Sequence, residues 1–247
     1  MGSVISFSNA PKYLDQVVAA GSFKSTILDT NVLIAASYDD TKEDYEVVPG
    51  LLKNLESRNS QFFATVNTKA EFLEFHRRLI LTENLLDAVD EFSKLKLPKA
   101  VRAKIQSLKG TLNSSIDTDK EKNAVFNHQQ IKKIKKEFSA GSHSGHLGWL
   151  ALCDLFLKNR MAEVEKELSD LGVTYISQNE ITDKDIFHTK IDWAGAFRIS
   201  EKTGPSFSDA MILNAFQCSH CPFIVSMDFL YCLCRSCRLN HERCDST

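Results

Sequence analysis

The stretch "TILDTNVLIAA", residues 26–36, places an aspartate between two apolar segments. Residues 25–29 have the composition of a buried β-strand, and the following run predicts a helix from about Asn31. Asp29 therefore ends the predicted strand. There it could cap the helix, or it could hold a metal ion at the edge of a sheet. The two roles can be separated only by what accompanies Asp29 elsewhere in the chain.

The same order of strand and helix recurs downstream. "QFFATV", 61–66, predicts a second strand, and "NTKAEFLEFHRRLI" predicts a helix entered through Asn67 or Thr68. Further predicted elements are a long helix over 149–172 that ends at Gly172, a short strand over 173–177, helices over 189–203 and from Ser206, and a strand over 223–228. Such alternation is typical of α/β proteins in which helices flank a parallel sheet.

The region between these α/β segments differs from them. Residues 83–138 show helical periodicity without a convincing strand and are rich in lysine, and 139–148 read as a flexible polar joint. A chain of 247 residues can form one large domain with a sizeable insertion. We therefore predict a single domain over 1–247, with a helical, lysine-rich insertion at about 83–172 and a cysteine-rich tail at about 230–247.

The overall composition excludes several classes of protein. The net charge of −2 supplies no general attraction for nucleic acid, so any such attraction needs a local basic patch. The longest apolar run is too short and too interrupted to span a membrane, so no membrane partner is expected. The seven cysteines are odd in number and crowd toward the end of the chain, unlike those of a secreted disulfide protein. A reduced, cytoplasmic protein is the expectation.

Four acidic residues fall where a parallel sheet would bring them together. Asp29 and Asp228 end predicted strands, whereas Glu71 and Asp209 lie in the first turns of predicted helices. The carboxyl ends of strands and the amino ends of helices share the edge of such a sheet where ligands bind. Clustered carboxylates repel one another unless protons or cations intervene, and oxygen-only ligands favour Mg²⁺ or Mn²⁺. The four residues are therefore predicted metal ligands and catalytic residues.

Helix capping is the alternative explanation for two of these acids. "TKAE" places Thr68 three residues before Glu71, and "SFSD" places Ser206 three residues before Asp209. Both spacings fit the capping box, which needs no metal. A helix amino terminus also favours an anion, so an acid can serve both purposes.

Four segments together resemble the signature segments of PIN-domain ribonucleases, a family that includes the VapC-type toxins. They are "ILDTNVLI", "TKAEFLEF", "GPSFSDAMILNAF" and "IVSMDFL", in the family's order, and the resemblance covers roughly residues 23–80 and 190–232. It implies a PIN-like, Rossmann-like sheet and a nuclease dependent on Mg²⁺ or Mn²⁺. The positions that match the family's acidic residues are Asp29, Glu71, Asp209 and Asp228, and those that match its supporting polar residues are Asn31 and Ser226.

The chain departs from the compact members of that family in two places. The interval between Glu71 and Asp209 is long, and after Asp228 the chain runs into "YCLCRSCRLNHERCDST" where a short loop and a last strand are usual. The expected function is a divalent-metal-dependent endoribonuclease that hydrolyses RNA phosphodiester bonds. The alternatives are a non-catalytic PIN-fold adaptor that binds RNA or protein, and a structure-specific DNA nuclease. An antitoxin or other protein partner and a homodimer are left open.

The lysine-rich insertion offers a local basic patch. One run of lysines consists of Lys132, Lys133, Lys135 and Lys136. On a helix these side chains could follow the phosphate backbone of RNA or DNA. The alternative is a solvated helix face, since acidic residues flank the run.

The cysteine-rich tail leaves two alternatives. A local Zn²⁺ site could use Cys232, Cys234 and Cys237 with either His241 or Cys244. The other alternative is a set of reduced thiols in a terminal helix. Cys218 and Cys221 precede the last predicted strand, which spans roughly 20 Å, and this argues against one zinc site that uses all the cysteines.

Overall fold

The computed structural model describes residues 2–19, 24–37, 43–90, 95–117, 125–140, 148–179, 185–227 and 231–235. Within these ranges, no helix combines the length and the apolar character that crossing a membrane requires.

One sheet organises the strands. They are β1 (Gly2–Ser6), β2 (Ser25–Leu28), β3 (Gln61–Ala64), β4 (Val173–Tyr175), β5 (Phe223–Ser226) and β6 (Tyr231–Arg235). Their order across the sheet is β1-β6-β5-β2-β3-β4. The four strands from β5 to β4 are parallel, whereas β6 pairs antiparallel with both β5 and β1. The predicted α/β architecture with a parallel sheet is confirmed for those four strands, and the antiparallel pair at one edge was not predicted.

The helices are α1 (Ala10–Ala19), α2 (Thr30–Ser37), α3 (Glu43–Glu56), α4 (Val66–Asp87), α5 (Lys99–Asp117), α6 (His128–Ala140), α7 (Trp149–Leu157), α8 (Arg160–Asp170), α9 (Trp193–Thr203) and α10 (Phe207–Cys218). Three expectations about helix boundaries are wrong. The helix predicted over 189–203 begins only at Trp193, because Asp192 is its N-cap and accepts a hydrogen bond from the Gly195 amide. The single helix predicted over 149–172 is two helices, because Asn159 between them adopts a left-handed φ of 65°. The helix expected from Asn67 or Thr68 begins earlier, since Thr65 Oγ1 accepts a hydrogen bond from the Thr68 amide (3.3 Å) and caps α4.

The chain divides into two compact units. The first comprises Met1–Phe72 and Glu167–Thr247, and the second comprises Leu73–Lys166. In the first unit, one core cluster joins strands β2, β3 and β5 to α10, through residues that include Ile27, Phe63, Ile212, Phe216 and Ile224. In the second unit, the core is formed between helices α4, α5, α6 and α7. The predicted insertion at about 83–172 overlaps this second unit, which begins and ends earlier in the chain.

Helix α6 carries the four lysines of the predicted basic patch. Its apolar side is buried at Ile131, Ile134 and Phe138, inside the core of the second unit. The lysine side chains, which project to solvent from the rest of the helix, are those of Lys132, Lys133, Lys135 and Lys136. The helical placement is as predicted, and nucleic-acid contact stays a prediction.

The cysteine tail begins as a strand rather than a helix. Cys232 and Cys234 lie in β6, where they are register partners of Ile5 and Ser3 in β1 and of Val225 and Phe223 in β5. The expectation of a terminal helix is therefore wrong for 231–235, and a last strand does follow β5. The remaining members of the predicted zinc site, Cys237, His241 and Cys244, lie outside the described residues, so zinc binding stays a prediction.

A close approach between α9 and α10 generates a stability prediction. A Cβ atom added to Gly195 would lie 2.6 Å from Asn214 Oδ1, and Asn214 is buried and donates to the Asp192 carbonyl. We expect Gly195→Ala to lower the free energy of unfolding by about 1–3 kcal/mol, because the helices must separate or the amide must leave its partner. Thermal and urea unfolding measure this change.

The matched control is Gly50→Ala in α3, in the same unit, where the added Cβ meets nothing within 4 Å. There the substitution should stabilise the protein by about 0.5–1 kcal/mol, because alanine loses less backbone entropy in a helix than glycine. Equal effects at the two glycines would contradict the packing between α9 and α10.

Candidate functional site

The topology of the first unit predicts a crevice between β2 and β5. From β2 the chain moves through α2 and α3 to β3 on one side, and it later returns through α9 and α10 to β5 on the other side. Right-handed crossovers in opposite directions place their helices on opposite faces of the sheet. Ligands in open α/β sheets bind at the carboxyl ends of the strands where the direction reverses. In this chain that point lies between the ends of β2 and β5.

Asp29 occupies the β2 side of this crevice. Its amide donates to the Val225 carbonyl (2.9 Å), so the strand pairing with β5 continues one residue beyond β2. The residue is only 8% exposed, and each carboxylate oxygen accepts a hydrogen bond. Oδ1 accepts from the Thr30 amide and Oδ2 accepts from Ser226 Oγ, both at 2.7 Å. These bonds fix the plane of the carboxylate.

Asn31 links the first turn of α2 to the end of β5. Its Nδ2 donates to Ser226 Oγ (3.3 Å), and its Oδ1 accepts from the Met227 amide (3.0 Å). Ser226 is therefore held from two sides, by Asn31 and by Asp29. The pair predicted to support the acids, Asn31 and Ser226, does lie against Asp29 and holds the chain on the β5 side of the crevice.

Glu71 joins this cluster through a residue that the sequence did not single out. Thr30 Oγ1 donates to Glu71 Oε2 (2.7 Å). Among the described residues, the other oxygen, Oε1, has no protein hydrogen-bond partner. Because α4 begins at Val66, Glu71 lies in the second helical turn, and the predicted capping box between Thr68 and Glu71 is wrong. The carboxylate is directed to the Asp29–Thr30 corner instead.

Asp209 does have the predicted capping role. Ser206 is the N-cap of α10, its Oγ accepts from the Asp209 amide (3.2 Å), and the same hydroxyl donates to Asp209 Oδ2 (2.7 Å). Asp209 also shares a helix face with Ile212 and Phe216, which pack on Ile27. Since Asp29 follows Ile27 by two residues, Asp29 and Asp209 belong to the same face of the sheet.

Four of the predicted site residues are linked by hydrogen bonds, directly or through Thr30. The other two, Asp209 and Asp228, stay predictions. Ser226 connects Asp29 with Asn31 through hydrogen bonds, and Thr30 connects Asp29 with Glu71. Asp228 lies outside the described residues. Within the described ranges, no group of three or more His, Cys, Asp or Glu side chains is close enough to hold one metal ion. Asp29, Glu71 and Asp209 alone therefore do not form a compact ligand set.

Two residues near the cluster were missed by sequence reasoning. Thr30 bridges the two acids, and its only sequence signal is its place between Asp29 and Asn31 in "DTN". Lys69, two residues before Glu71, brings a positive charge to the same end of the sheet, with Nζ 5.1 Å from the ring centroid of Tyr175 at the end of β4. No local pattern marks a lysine for contact with a strand more than a hundred residues away.

Comparison with known proteins identifies no relative, since no protein family, no curated protein and no solved structure matches the chain. The chemistry of the site therefore has to be argued from its own geometry.

The Thr30 bridge generates a prediction. Thr30→Val keeps the shape of the buried side chain and the main-chain donor to Asp29, but it removes the hydroxyl that orients Glu71. We expect a loss of about 0.5–1.5 kcal/mol in the free energy of unfolding, since Glu71 is only partly buried and water can replace the lost bond.

Thr203→Val is the matched control, because its hydroxyl only donates to the Ile199 carbonyl on the exposed surface of α9. That change should stay within about 0.5 kcal/mol. Urea denaturation of both variants provides the measurement, and a Thr30→Val protein as stable as Thr203→Val would show that the bridge contributes nothing.

Proposed function

We propose that this chain is a divalent-metal-dependent endoribonuclease of the PIN type. The observation that carries the proposal is the hydrogen-bonded cluster of Asp29, Ser226 and Asn31 at the crevice between β2 and β5. A buried carboxylate at the carboxyl edge of a parallel sheet, at the point where the chain reverses direction, is where an α/β fold binds its ligand. The resemblance of four sequence segments to PIN-domain ribonucleases supplies the reaction class.

A PIN-like fold is part of this proposal. The proposal is supported by the positions of the four segments, each of which lies in a parallel strand or near the start of a helix. "ILDTNVLI" covers the end of β2 and the start of α2, "TKAEFLEF" lies in α4, "GPSFSDAMILNAF" covers the start of α10, and "IVSMDFL" begins in β5. Each of the first three carries an acid of the candidate site, and the fourth carries Ser226 and Asp228.

The donor set fits Mg²⁺ or Mn²⁺. Asp29 and Glu71 offer only oxygen atoms, and Glu71 Oε1 has no protein partner in the described part of the chain. Hard divalent cations prefer carboxylate oxygen, whereas zinc prefers nitrogen and sulfur. Asp29, Glu71, Asp209 and Asp228 would hold the ion. When bound, it would supply an activated water and stabilise negative charge on the phosphate.

The remaining residues act by orientation. The Thr30 amide and Ser226 Oγ fix the Asp29 carboxylate, and the Thr30 hydroxyl fixes one oxygen of Glu71. Phosphoryl transfer depends on the alignment of the attacking and leaving oxygens, so preorganised acids lower the barrier without moving during the reaction. Asn31 contributes by holding Ser226 and the Met227 amide.

Asp29→Asn tests catalysis. The amide can keep its oxygen toward the Thr30 N–H, and Ser226 Oγ can then accept from the new NH₂ group. The free energy of unfolding should therefore fall by only about 1 kcal/mol. Cleavage should fall by on the order of a hundredfold or more, because a charged ligand of the cation is lost. The measurement is hydrolysis of a labelled single-stranded RNA with Mg²⁺ or Mn²⁺, together with thermal melting with and without metal.

Asp170→Asn, an exposed change at the end of α8, is the matched control and should retain full activity. Because contaminating nucleases are common, activity that survives Asp29→Asn unchanged would not belong to this site and would remove the mechanism. A wild-type protein that neither cleaves RNA nor gains thermal stability with Mn²⁺ would favour the adaptor.

The lysines of α6 are proposed to contact the phosphate backbone. Changing Lys132, Lys133, Lys135 and Lys136 together to Glu should weaken RNA binding and flatten its dependence on salt, by roughly 0.7 in the logarithmic slope for each lost contact with a single strand. The measurement is fluorescence anisotropy of a labelled RNA over a series of salt concentrations.

The matched control makes the same change in total charge at scattered exposed lysines, namely Lys12, Lys53, Lys158 and Lys166. Both variants lower the overall charge equally, so only a local phosphate contact separates them. An identical salt slope in the two variants would mean that α6 merely exposes a solvated face.

A further inference from the structure

Lys69 lies over an aromatic ring at the carboxyl edge of the sheet. It belongs to the first turn of α4, where its amide donates to the Thr65 carbonyl (2.9 Å), and the residue is half-buried. Its Nζ atom lies 5.1 Å from the centroid of the Tyr175 ring. The face of an aromatic ring attracts a cation. The ammonium group is therefore kept near one place, although the lysine side chain is long and flexible.

The end of β4 provides this ring. Tyr175 is the last residue of β4 and the register partner of Ala64, the last residue of β3. The Ile176 amide donates to the Ala64 carbonyl (3.0 Å), so the pairing continues past both strand ends. On its other side β3 is parallel to β2, the strand that Asp29 follows. Lys69 and Tyr175 thus lie at the same edge of the sheet as Asp29.

Lys69 and Glu71 project from opposite sides of α4. Two residues along an α-helix differ in direction by roughly 200°. Glu71 accepts from Thr30, just after β2, whereas Lys69 reaches Tyr175 at the end of β4. Because β3 lies between β2 and β4, the start of α4 directs an acid to one side and a cation to the other.

The cation therefore lies beside the acids and not among them. Neighbouring strands are about 4.8 Å apart, so the ends of β2 and β4 are separated by roughly 10 Å. Successive phosphates advance by about 3.4 Å along one strand of a duplex, and by more in an extended single strand, so this separation covers only a few nucleotides. A strand with one phosphate at the acids can place a nearby phosphate at Lys69.

The unit that contains these residues is acidic. Residues 1–72 and 167–247 contain 13 Lys and Arg against 20 Asp and Glu, whereas residues 73–166 contain 17 against 12. A net negative charge repels a polyanion, and Asp29 and Glu71 increase the repulsion where the substrate has to bind. A fixed positive charge at the same edge of the sheet offsets part of this repulsion.

We propose that Lys69 binds a backbone phosphate of the RNA strand on the β4 side of the acids, and that Tyr175 positions the ammonium group for this contact. A lysine contacts phosphate as a point charge and reads no sequence. The proposal rests on the proposed nuclease function for the choice of RNA. It extends that function, because it requires a substrate with more than one phosphate.

Binding in metal-free buffer measures the contact without cleavage. Lys69→Gln should lower the logarithmic salt slope for a labelled single-stranded RNA by roughly 0.7, which corresponds to about 5-fold weaker binding at about 0.1 M salt. Lys69→Arg keeps the charge and should retain the affinity. The matched control is Lys53→Gln, which removes the same charge from the last turn of α3, the helix that leads to the amino end of β3. It should leave the salt slope unchanged.

Two substrates of different length separate this contact from the acids. Bis(p-nitrophenyl) phosphate has a single phosphate, so Lys69→Gln should hydrolyse it with Mn²⁺ at the wild-type rate. On RNA the same variant should lose about 5-fold in kcat/KM, mostly through a higher KM. Tyr175→Leu should show part of this loss on RNA, whereas Tyr175→Phe keeps the ring face under Lys69 and should behave as the wild type.

The outcomes distinguish this proposal from the nuclease assignment. Equal affinity and salt slope in Lys69→Gln and Lys53→Gln overturn it, and so does a wild-type protein that binds no RNA. If Lys69→Gln then only lowers the melting temperature, the contact with Tyr175 merely holds α4 to β4. Equal losses on RNA and on the small diester also contradict a contact with a second phosphate. RNA binding that depends on Lys69 in a protein that hydrolyses neither substrate supports the contact, and the nuclease assignment alone is wrong.

Discussion

The buried carboxylate of Asp29 is the constraint on which the rest of the site depends. It continues the pairing of β2 with β5 through its main chain, while its side chain accepts from the Thr30 amide and Ser226 Oγ. Because Asp29 is buried, with 8% of the residue exposed, its carboxylate is stable only if such donors replace the water it has lost. Thr30, Asn31 and Ser226 therefore take the positions that Asp29 requires, and Glu71 follows because Thr30 directs its hydroxyl there.

The same geometry separates the roles of the acids. Asp209 is engaged by its cap with Ser206, whereas Glu71 is free of any cap and turns toward Asp29. Asp209 therefore has a structural role in its own helix besides any part in the site, whereas the position of Glu71 is set by a residue of another element. The pair of Asp29 and Glu71 is for this reason the stronger part of the proposed metal site.

Sequence reasoning succeeded where the physics is local. The strand before Asp29, the cap at Ser206 and the end of the helix at 203, before Gly204 with its φ of 73°, all depend on neighbouring residues. It failed where distant residues decide. The amino-terminal strand β1 has no distinctive pattern, and β6 in the cysteine-rich segment becomes a strand because β1 and β5 supply its hydrogen-bond partners.

By itself, the sequence determined the alternation of strands and helices, the acids at their ends and the lysines on one side of α6. These features depend on periodicity and capping, which involve residues close together in the sequence. The tertiary structure decided which acids meet. Thr30 and Glu71, or Asp29 and Ser226, become neighbours only when parallel strands align their carboxyl ends. It also decided that Lys69 lies over Tyr175, since β3 and β4 must pair before the start of α4 can meet the end of β4.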